Sequence, residues 1–306
     1  SSNFPATMIN FNYHNDLDNI FNHIVFHLEQ AVIKRILNTC ERPIVCLLSG
    51  GLDSSLITAF VKKHYCGELR TFSIGMKGSE DLDRAKQVAE HLNTNHTEII
   101  VTGEEMFDAI PEVIENIESY DTTTVRASVG NYMVGKYIAR ETDAKVVFNG
   151  DGSDELTGGY LYFLKSPSSI ESDRECRDLL ENIHMFDVLR SDRCISRHGL
   201  EPRTPFLDRT FVNYYLSLPI NLRNPITSNI SNLPNSVCEK QLLREAVTHV
   251  YPDLIPHDII WRRKEAFSDG VSGESRSWFE IIKDKVENMD LVAHSSWTHN
   301  TPTTQE

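Results

Sequence analysis

The stretch PIVCLLSGGLDSSL, Pro43–Leu56, decides how this chain is read. Its first half is apolar and predicts a buried strand over Ile44–Leu48. Its second half turns abruptly to two glycines, an aspartate and two serines, and then to a helix predicted from Ser54 to about His64. A strand that runs through Gly-Gly into a helix N-terminus is the βα turn of an open parallel sheet, where ligands sit beyond the carboxyl ends of the strands. The glycines let the backbone come close to a ligand, and the N–H groups around Asp53–Ser55 favour an anion such as phosphate or pyrophosphate. The usual phosphate loop GxxxxGK(S/T) places a lysine there. Here Asp53 stands instead, and a carboxylate beside a polyphosphate needs a cation between them, so Asp53 reads as a Mg2+ ligand. The same residues also fit a tight turn in which Ser and Asp serve only as helix caps.

Outward from this turn, strand and helix patterns alternate. A strand is predicted in LRTFSIGM, then a helix over DLDRAKQVAEHLN with Leu82, Ala85, Val88, Ala89 and Leu92 on one face. A strand HTEIIV follows, then helices in EEMFDAIPEVIENI and VGNYMVGKYIARE, then a strand KVVFNG. The order β-α-β-α-β-α-α-β predicts an α/β fold: a doubly wound, mostly parallel sheet with helices on both faces. From Ser166 onward ECRDLLENIHMFDVLR, FLDRTFVNYYLSL and CEKQLLREAVTHVY have helical spacing and no strand is read, so the C-terminal half is expected to be helical. The expected division is a nucleotide-binding α/β core over about residues 30–165 and a helical part over about 166–306. Asn221–Ser236 reads as a surface loop and Ser295–Glu306 as a polar tail.

Composition narrows the function classes. The balance of 30 Lys+Arg against 44 Asp+Glu, a net charge of −14, disfavours a bare nucleic-acid backbone as partner. No apolar run reaches membrane-spanning length and the N-terminus lacks the layout of a secretory signal, so no membrane partner and a cytoplasmic location are expected. The six cysteines form no CxxC pair and no metal-ligand spacing, and they read as reduced packing residues.

A second candidate turn, GDGSDELTGG, ends the fourth predicted strand and so faces the same crevice as SGGLDSS. It carries Asp151, Asp154 and Glu155. A second carboxylate is what a hexacoordinate cation on ATP phosphates requires, although a solvated acidic turn fits equally. Arg126 lies on a hydroxyl-rich loop and can clamp phosphate or carboxylate, with Thr123 and Thr124 beside it; Ser128 fits as a helix cap. Asp187 and Arg190, three apart on a helix, fit a surface ion pair, and Arg262, Arg263 and Lys264 fit a solvated face.

SGGLDSS after an apolar strand resembles the signature of the ATP pyrophosphatases, which split ATP between its α- and β-phosphates. YDTTTVRAS (Tyr120–Ser128), FNGDGSDELTGGYLYF (Phe148–Phe163), HMFDVLR (His184–Arg190), HGLEPRTPFLD (His198–Asp208), EKQLLRE (Glu239–Glu245) and WRRKEAFSDG (Trp261–Gly270) are together similar to the synthetase domain of the B-type asparagine synthetases. The resemblance extends over nearly the whole chain. It implies the adenine nucleotide alpha-hydrolase-like fold, with ATP and Mg2+ as cofactors. Asp154 would pair with Asp53 on Mg2+, Glu155 would support them, and Lys264 would reach the phosphates. Arg126, Asp187 and Arg190 would face the crevice. Leu48, Ser49, Gly50, Gly51, Ser54, Ile74, Gly75 and Gly150 would contact nucleotide, although Leu48 and Ile74 also fit as core residues. The family generally has glutamate at the position of Asp151, placed to take a proton from incoming ammonia. Aspartate is one methylene shorter, roughly 1.5 Å less reach, a scale to which catalytic geometry is sensitive.

The implied reaction joins L-aspartate and ammonia. The β-carboxylate attacks the α-phosphorus of ATP, pyrophosphate leaves, and ammonia displaces AMP from β-aspartyl-AMP. Glutamine-using relatives carry an N-terminal amidotransferase domain with a cysteine nucleophile, whereas here residue 1 is serine and the first motif arrives at Ser49. That domain is therefore not expected within these residues. Ammonia is expected free, from a glutaminase domain of a longer enzyme, or from a separate subunit, and the ending TPTTQE favours a fragment. A homodimer stays open as the assembly. Two alternatives fit the nucleotide motifs: a relative that adenylates another carboxylate for amide or β-lactam formation, and a nucleotide-binding pseudoenzyme or regulatory module.

Overall fold

In the computed structural model, which describes residues 13–39, 42–227, 238–263 and 277–287, helix α1 (Tyr13–Leu37) precedes an alternating run. That run is β1 (Ile44–Leu47), α2 (Leu52–His64), β2 (Arg70–Gly75), α3 (Glu80–Leu92), β3 (Asn95–Ile100), α4 (Gly103–Asp108), α5 (Ile110–Ile117), α6 (Thr122–Glu141), β4 (Val146–Phe148) and α7 (Ser153–Thr157). Then come α8 (Ser169–Asn182), α9 (Asp187–Ser196), β5 (Glu201–Arg203), α10 (Arg209–Ser217), α11 (Ile220–Arg223), α12 (Gln241–Val250), α13 (His257–Ile260) and α14 (Trp278–Glu287).

The sheet has the order β3-β2-β1-β4-β5 and every pairing is parallel. From β1 the chain steps outward to β3, then returns to β4 on the other side of β1. The order therefore reverses between β1 and β4, which is the switch point where open α/β sheets bind ligands. Helices cover both faces. Ile44 and Cys46 of β1 and Val146 and Phe148 of β4 pack with Ile24, Leu28, Phe60 and Leu243, while Val45 and Val147 pack on the opposite side with Val129, Ile138 and Ile195. Both faces of the central strands are dry, which is why IVCL shows no polar alternation. This is the doubly wound parallel sheet expected from the sequence.

Five features differ from the expectation. One is that α11 (Ile220–Arg223) runs into the stretch Asn221–Ser236 expected as a surface loop, of which 228–236 lie outside the described residues, as does the expected tail Ser295–Glu306. The second half is not purely helical: Glu201–Arg203 forms β5, which pairs with β4 and carries the sheet across residue 165. Helix α1 occupies a stretch to which the sequence reading assigned no element. The helix expected over EEMFDAIPEVIENI is broken at Ala109 into α4 and α5, because Pro111 cannot donate back along a continuous helix. Helix α6 starts at Thr122, and Asp121 caps it by accepting from the Thr124 N–H at 2.8 Å. Ser128 is therefore no cap; its hydroxyl donates to the Thr124 carbonyl one turn back.

Among the described residues no helix is long and apolar enough to cross a membrane. Cys46 and Cys176 are buried, and burial pushes both thiols up to about 12, in keeping with packing roles.

Candidate active site

The turn after β1 is held by its own serines. Ser54 Oγ accepts from the Ser49 N–H at 3.2 Å and lies 3.1 Å from Ser49 Oγ. Helix α2 starts from Gly51 with no side-chain cap, and its first turn, Gly51, Leu52, Asp53 and Ser54, lines a cavity. The turn after β4 comes against it. A Cβ on Gly150 would lie 2.8 Å from both Asp53 Cβ and the Ser54 nitrogen, so only glycine allows this approach. Ser153 Oγ donates to Asp53 Oδ1 at 2.7 Å. Asp53 Oδ2 and Asp154 Oδ1 lie 2.5 and 2.6 Å from one atom, the Lys240 ammonium nitrogen.

The cavity between these turns has a volume of about 910 Å3. Its floor is the carboxyl ends of β1, β2 and β4, at Leu47–Ser49, Phe72–Ile74 and Asn149–Gly152. Its wall carries both signs of charge: Arg126, Arg190, Lys240, Arg244, Arg262 and Arg263 stand among Asp53, Asp81, Asp151, Asp154 and Asp187. A mixed wall of this kind suits an anionic ligand that brings a cation with it. Arg244 is spoken for by Glu239, at 2.6 Å and fully buried, and Arg262 by Asp81 at 3.0 Å. Arg190 pairs with Asp187. Arg126 is different: among the described residues its buried Nε has no hydrogen-bond partner, and its guanidinium stands 5.4 Å from the Phe279 ring.

Most of the residues singled out from the sequence meet at this cavity. Leu48, Ser49, Gly51, Asp53, Ser54, Ile74, Arg126, Gly150, Asp151, Asp154, Asp187 and Arg190 all line it. Asp187 and Arg190 form the ion pair that their spacing allowed, on the cavity wall and not on open surface. Asp151 Oδ2 accepts from Asn149 Nδ2 at 2.6 Å, and the same amide nitrogen donates to Ser191 Oγ at 2.8 Å.

Three residues stand off the cavity wall. Gly50, with φ +73°, turns its back to α3, where a Cβ would lie 2.4 Å from Arg84 Cβ. Gly75 backs onto Ser79. Glu155 is fully buried behind Asp154, where its Oε1 accepts from the Tyr160 hydroxyl at 2.6 Å and its Oε2 has no hydrogen-bond partner among the described residues. Burial pushes its carboxyl above the usual range, and the charge of Asp154 adds to the rise. Lys264 lies outside the described residues.

The donor set suits a hard divalent cation that arrives with its own oxygen ligands. Among the described residues no group of three or more His, Cys, Asp or Glu side chains is arranged to hold a metal. Mg2+ is bound through one or two carboxylates plus phosphates and water, and Asp53 with Asp154 meets that need. Residues that the sequence reading missed are Lys240, Ser153 and Asn149. Lys240 stands in the quoted block EKQLLRE, yet nothing in that block ties it to Asp53, 187 residues away.

Comparison with known proteins follows the same line. A family model described as asparagine synthase matches residues 25–179 and 166–298. The asparagine synthetase (glutamine-hydrolyzing) of Gallus gallus is 46% identical over 301 residues, covering 95% of this chain and 51% of that protein. That of Homo sapiens is 45% identical with the same coverage. The chain thus spans about half the length of the curated relatives it matches. Among solved structures, an NH3-dependent NAD synthetase from Campylobacter jejuni aligns with TM-score 0.36 and 15% identity, covering 58% of this chain and 93% of that one. The family model and the two curated relatives agree, and the chain belongs to the asparagine synthase family.

Proposed function

We propose that this chain is the ATP-dependent synthetase half of an asparagine synthetase, converting L-aspartate and ammonia to L-asparagine with release of AMP and pyrophosphate. The observation that carries the reading is the meeting of the two acidic turns at the β1/β4 switch point, with Asp53 and Asp154 converging on one point at the cavity between them.

In this reading the N–H groups at the start of α2 bind the phosphates, and Asp53 and Asp154 hold Mg2+. When bound, Mg2+ neutralises phosphate charge and so makes pyrophosphate a better leaving group. Arg126 and Arg190 of the cavity wall orient the anionic groups of nucleotide and aspartate. The β-carboxylate oxygen of aspartate bonds to the α-phosphorus as the bond to pyrophosphate breaks. Ammonia then attacks the activated carbonyl, Asp151 takes the proton it sheds, and AMP leaves. Lys264 would stabilise the charge that develops at phosphorus.

The names of the curated relatives include glutamine hydrolysis, which supports glutamine as the source of the ammonia for the whole enzyme, through a glutaminase domain or subunit. The test is direct. With Mg2+, ATP, L-aspartate and ammonium, the chain is expected to form asparagine, AMP and pyrophosphate in equal amounts. Formation of ADP, or product formation that ignores aspartate, would contradict the reading.

A further inference from the structure

The two acidic turns meet on an ammonium group. Lys240 Nζ lies 2.5 Å from Asp53 Oδ2, 2.6 Å from Asp154 Oδ1 and 3.3 Å from Ser153 Oγ, and its side chain is only 1% exposed. A buried ammonium is tolerated only when paired and hydrogen-bonded, which these three partners accomplish. The backbone is bent to deliver it. Lys240 has φ +57°, in the left-handed region that residues with a Cβ seldom occupy, and it immediately precedes α12. The opposite wall is cut away to receive it: a Cβ on Gly159 would fall 2.1 Å from Lys240 Cε and 2.0 Å from Asp154 Oδ1. Three separate features of the chain therefore keep a cation at this point.

Without that ammonium, two carboxylates would share a partly buried site and repel. With it, the oxygens that would bind Mg2+ are already neutralised. We propose that Lys240 is the resident counter-cation of the site: it holds Asp53 and Asp154 at the spacing a metal needs and keeps free Mg2+ out, so that the metal enters only with nucleotide. The inference rests on the reading of this cavity as a site for Mg2+ and ATP. Free Mg2+ gives up its water reluctantly and gains only two carboxylates, both engaged. A metal that arrives on a polyphosphate brings most of its own ligands, and the phosphate charge gives the displaced ammonium a new partner.

The experiment uses the full chain as wild type, Lys240→Met and Lys240→Gln, with Mn2+ binding followed by electron paramagnetic resonance and thermal unfolding followed with Mg2+, with ATP and with both. Wild type is expected to retain Mn2+ only when ATP is present, and its Tm is expected to rise with Mg2+ and ATP together but not with Mg2+ alone. Lys240→Gln keeps a donor to the carboxylates without the competing charge. It is expected to bind Mn2+ without nucleotide at least about tenfold more tightly than wild type and to gain Tm with Mg2+ alone. Adding Asp154→Asn to that variant is expected to abolish the gain. Equal Mn2+ affinity in wild type and Lys240→Gln without nucleotide would overturn the proposal. Should Lys240→Met fail to fold, Lys240→Gln carries the comparison, and tight Mn2+ binding by nucleotide-free wild type overturns the proposal whatever the variants do. Failure of the underlying reading looks different: Mg2+ and ATP together leave wild type unshifted, while the Mn2+ comparison still decides whether Lys240 excludes the metal.

Discussion

Ser153 Oγ donates to Asp53 Oδ1 at 2.7 Å, a hydrogen bond that crosses 100 residues of sequence and joins the turn after β1 to the turn after β4. It fixes one carboxylate oxygen of Asp53 and leaves the other on the cation side. A hydrogen bond to a charged group contributes about 1.5–3 kcal/mol. Ser153→Ala is therefore expected to lower kcat/KM for ATP by about tenfold to a hundredfold while the chain stays folded. Pyrophosphate release measured beside circular dichroism checks this, and an unchanged kcat/KM would show that the link does not matter.

Gly150→Ala tests whether the two turns must touch. The added Cβ would sit 2.8 Å from Asp53 Cβ and from the Ser54 backbone nitrogen, neither of which is a flexible side-chain end. The turns are expected to part, weakening ATP binding by at least about tenfold. Calorimetric titration with ATP and Mg2+ reads the effect, and wild-type affinity would contradict it.

Asn149 is expected to act through Asp151. Its amide nitrogen bonds Asp151 at 2.6 Å and Ser191 of α9 at 2.8 Å, so the group that holds the shortened carboxylate is itself anchored to the helix. In Asn149→Ala, asparagine formation from ammonium should fall by about tenfold or more, the loss of roughly one charge-assisted hydrogen bond, while aspartate-dependent exchange between ATP and pyrophosphate persists. Asp151→Asn should show the same split. An equal loss in both assays would remove Asp151 from the ammonia step.

His96 predicts an acid-sensitive window. It sits on β3 with Thr71 Oγ1 at 2.9 Å and Ser73 Oγ at 3.1 Å, and burial, helped by Lys86, pushes its imidazole down to about 4. The unfolded chain binds that proton with the ordinary value of 6.5, so between pH 6.5 and about 4 the unfolded state holds a proton that the folded state refuses. Stability is therefore expected to fall as pH drops through this window and to level off below it. Urea midpoints of wild type and His96→Asn across that range are the check: the variant should show a flatter dependence.

Much of this was legible before the structure, for physical reasons that can be named. SGGLDSS and GDGSDE could be placed because an apolar strand followed by Gly and Asp leaves few other readings, and both turns did come to the switch point. The apolar spacing of Ile20, Ile24, Leu28 and Val32 marks the buried face of α1, so that helix was readable though unread. Strand β5 was not readable: Glu-Pro-Arg has no strand propensity, and it becomes a strand because β4 offers an open edge. Glu155 adjoins Asp154 in sequence, yet it stands behind the cavity wall and not on it. On a helix neighbouring residues point about 100° apart, so only one of the two faces the cavity. Lys240 was invisible as a site residue because a contact spanning 187 residues leaves no spacing to read.

The most direct test of the account is isotope exchange between pyrophosphate and ATP. Wild-type chain is expected to catalyse it only with Mg2+ and L-aspartate present, and Asp53→Asn is expected to abolish it while remaining folded. Exchange that proceeds without aspartate, or that survives loss of the Asp53 carboxylate, would contradict the claim that the paired acidic turns form the activation site.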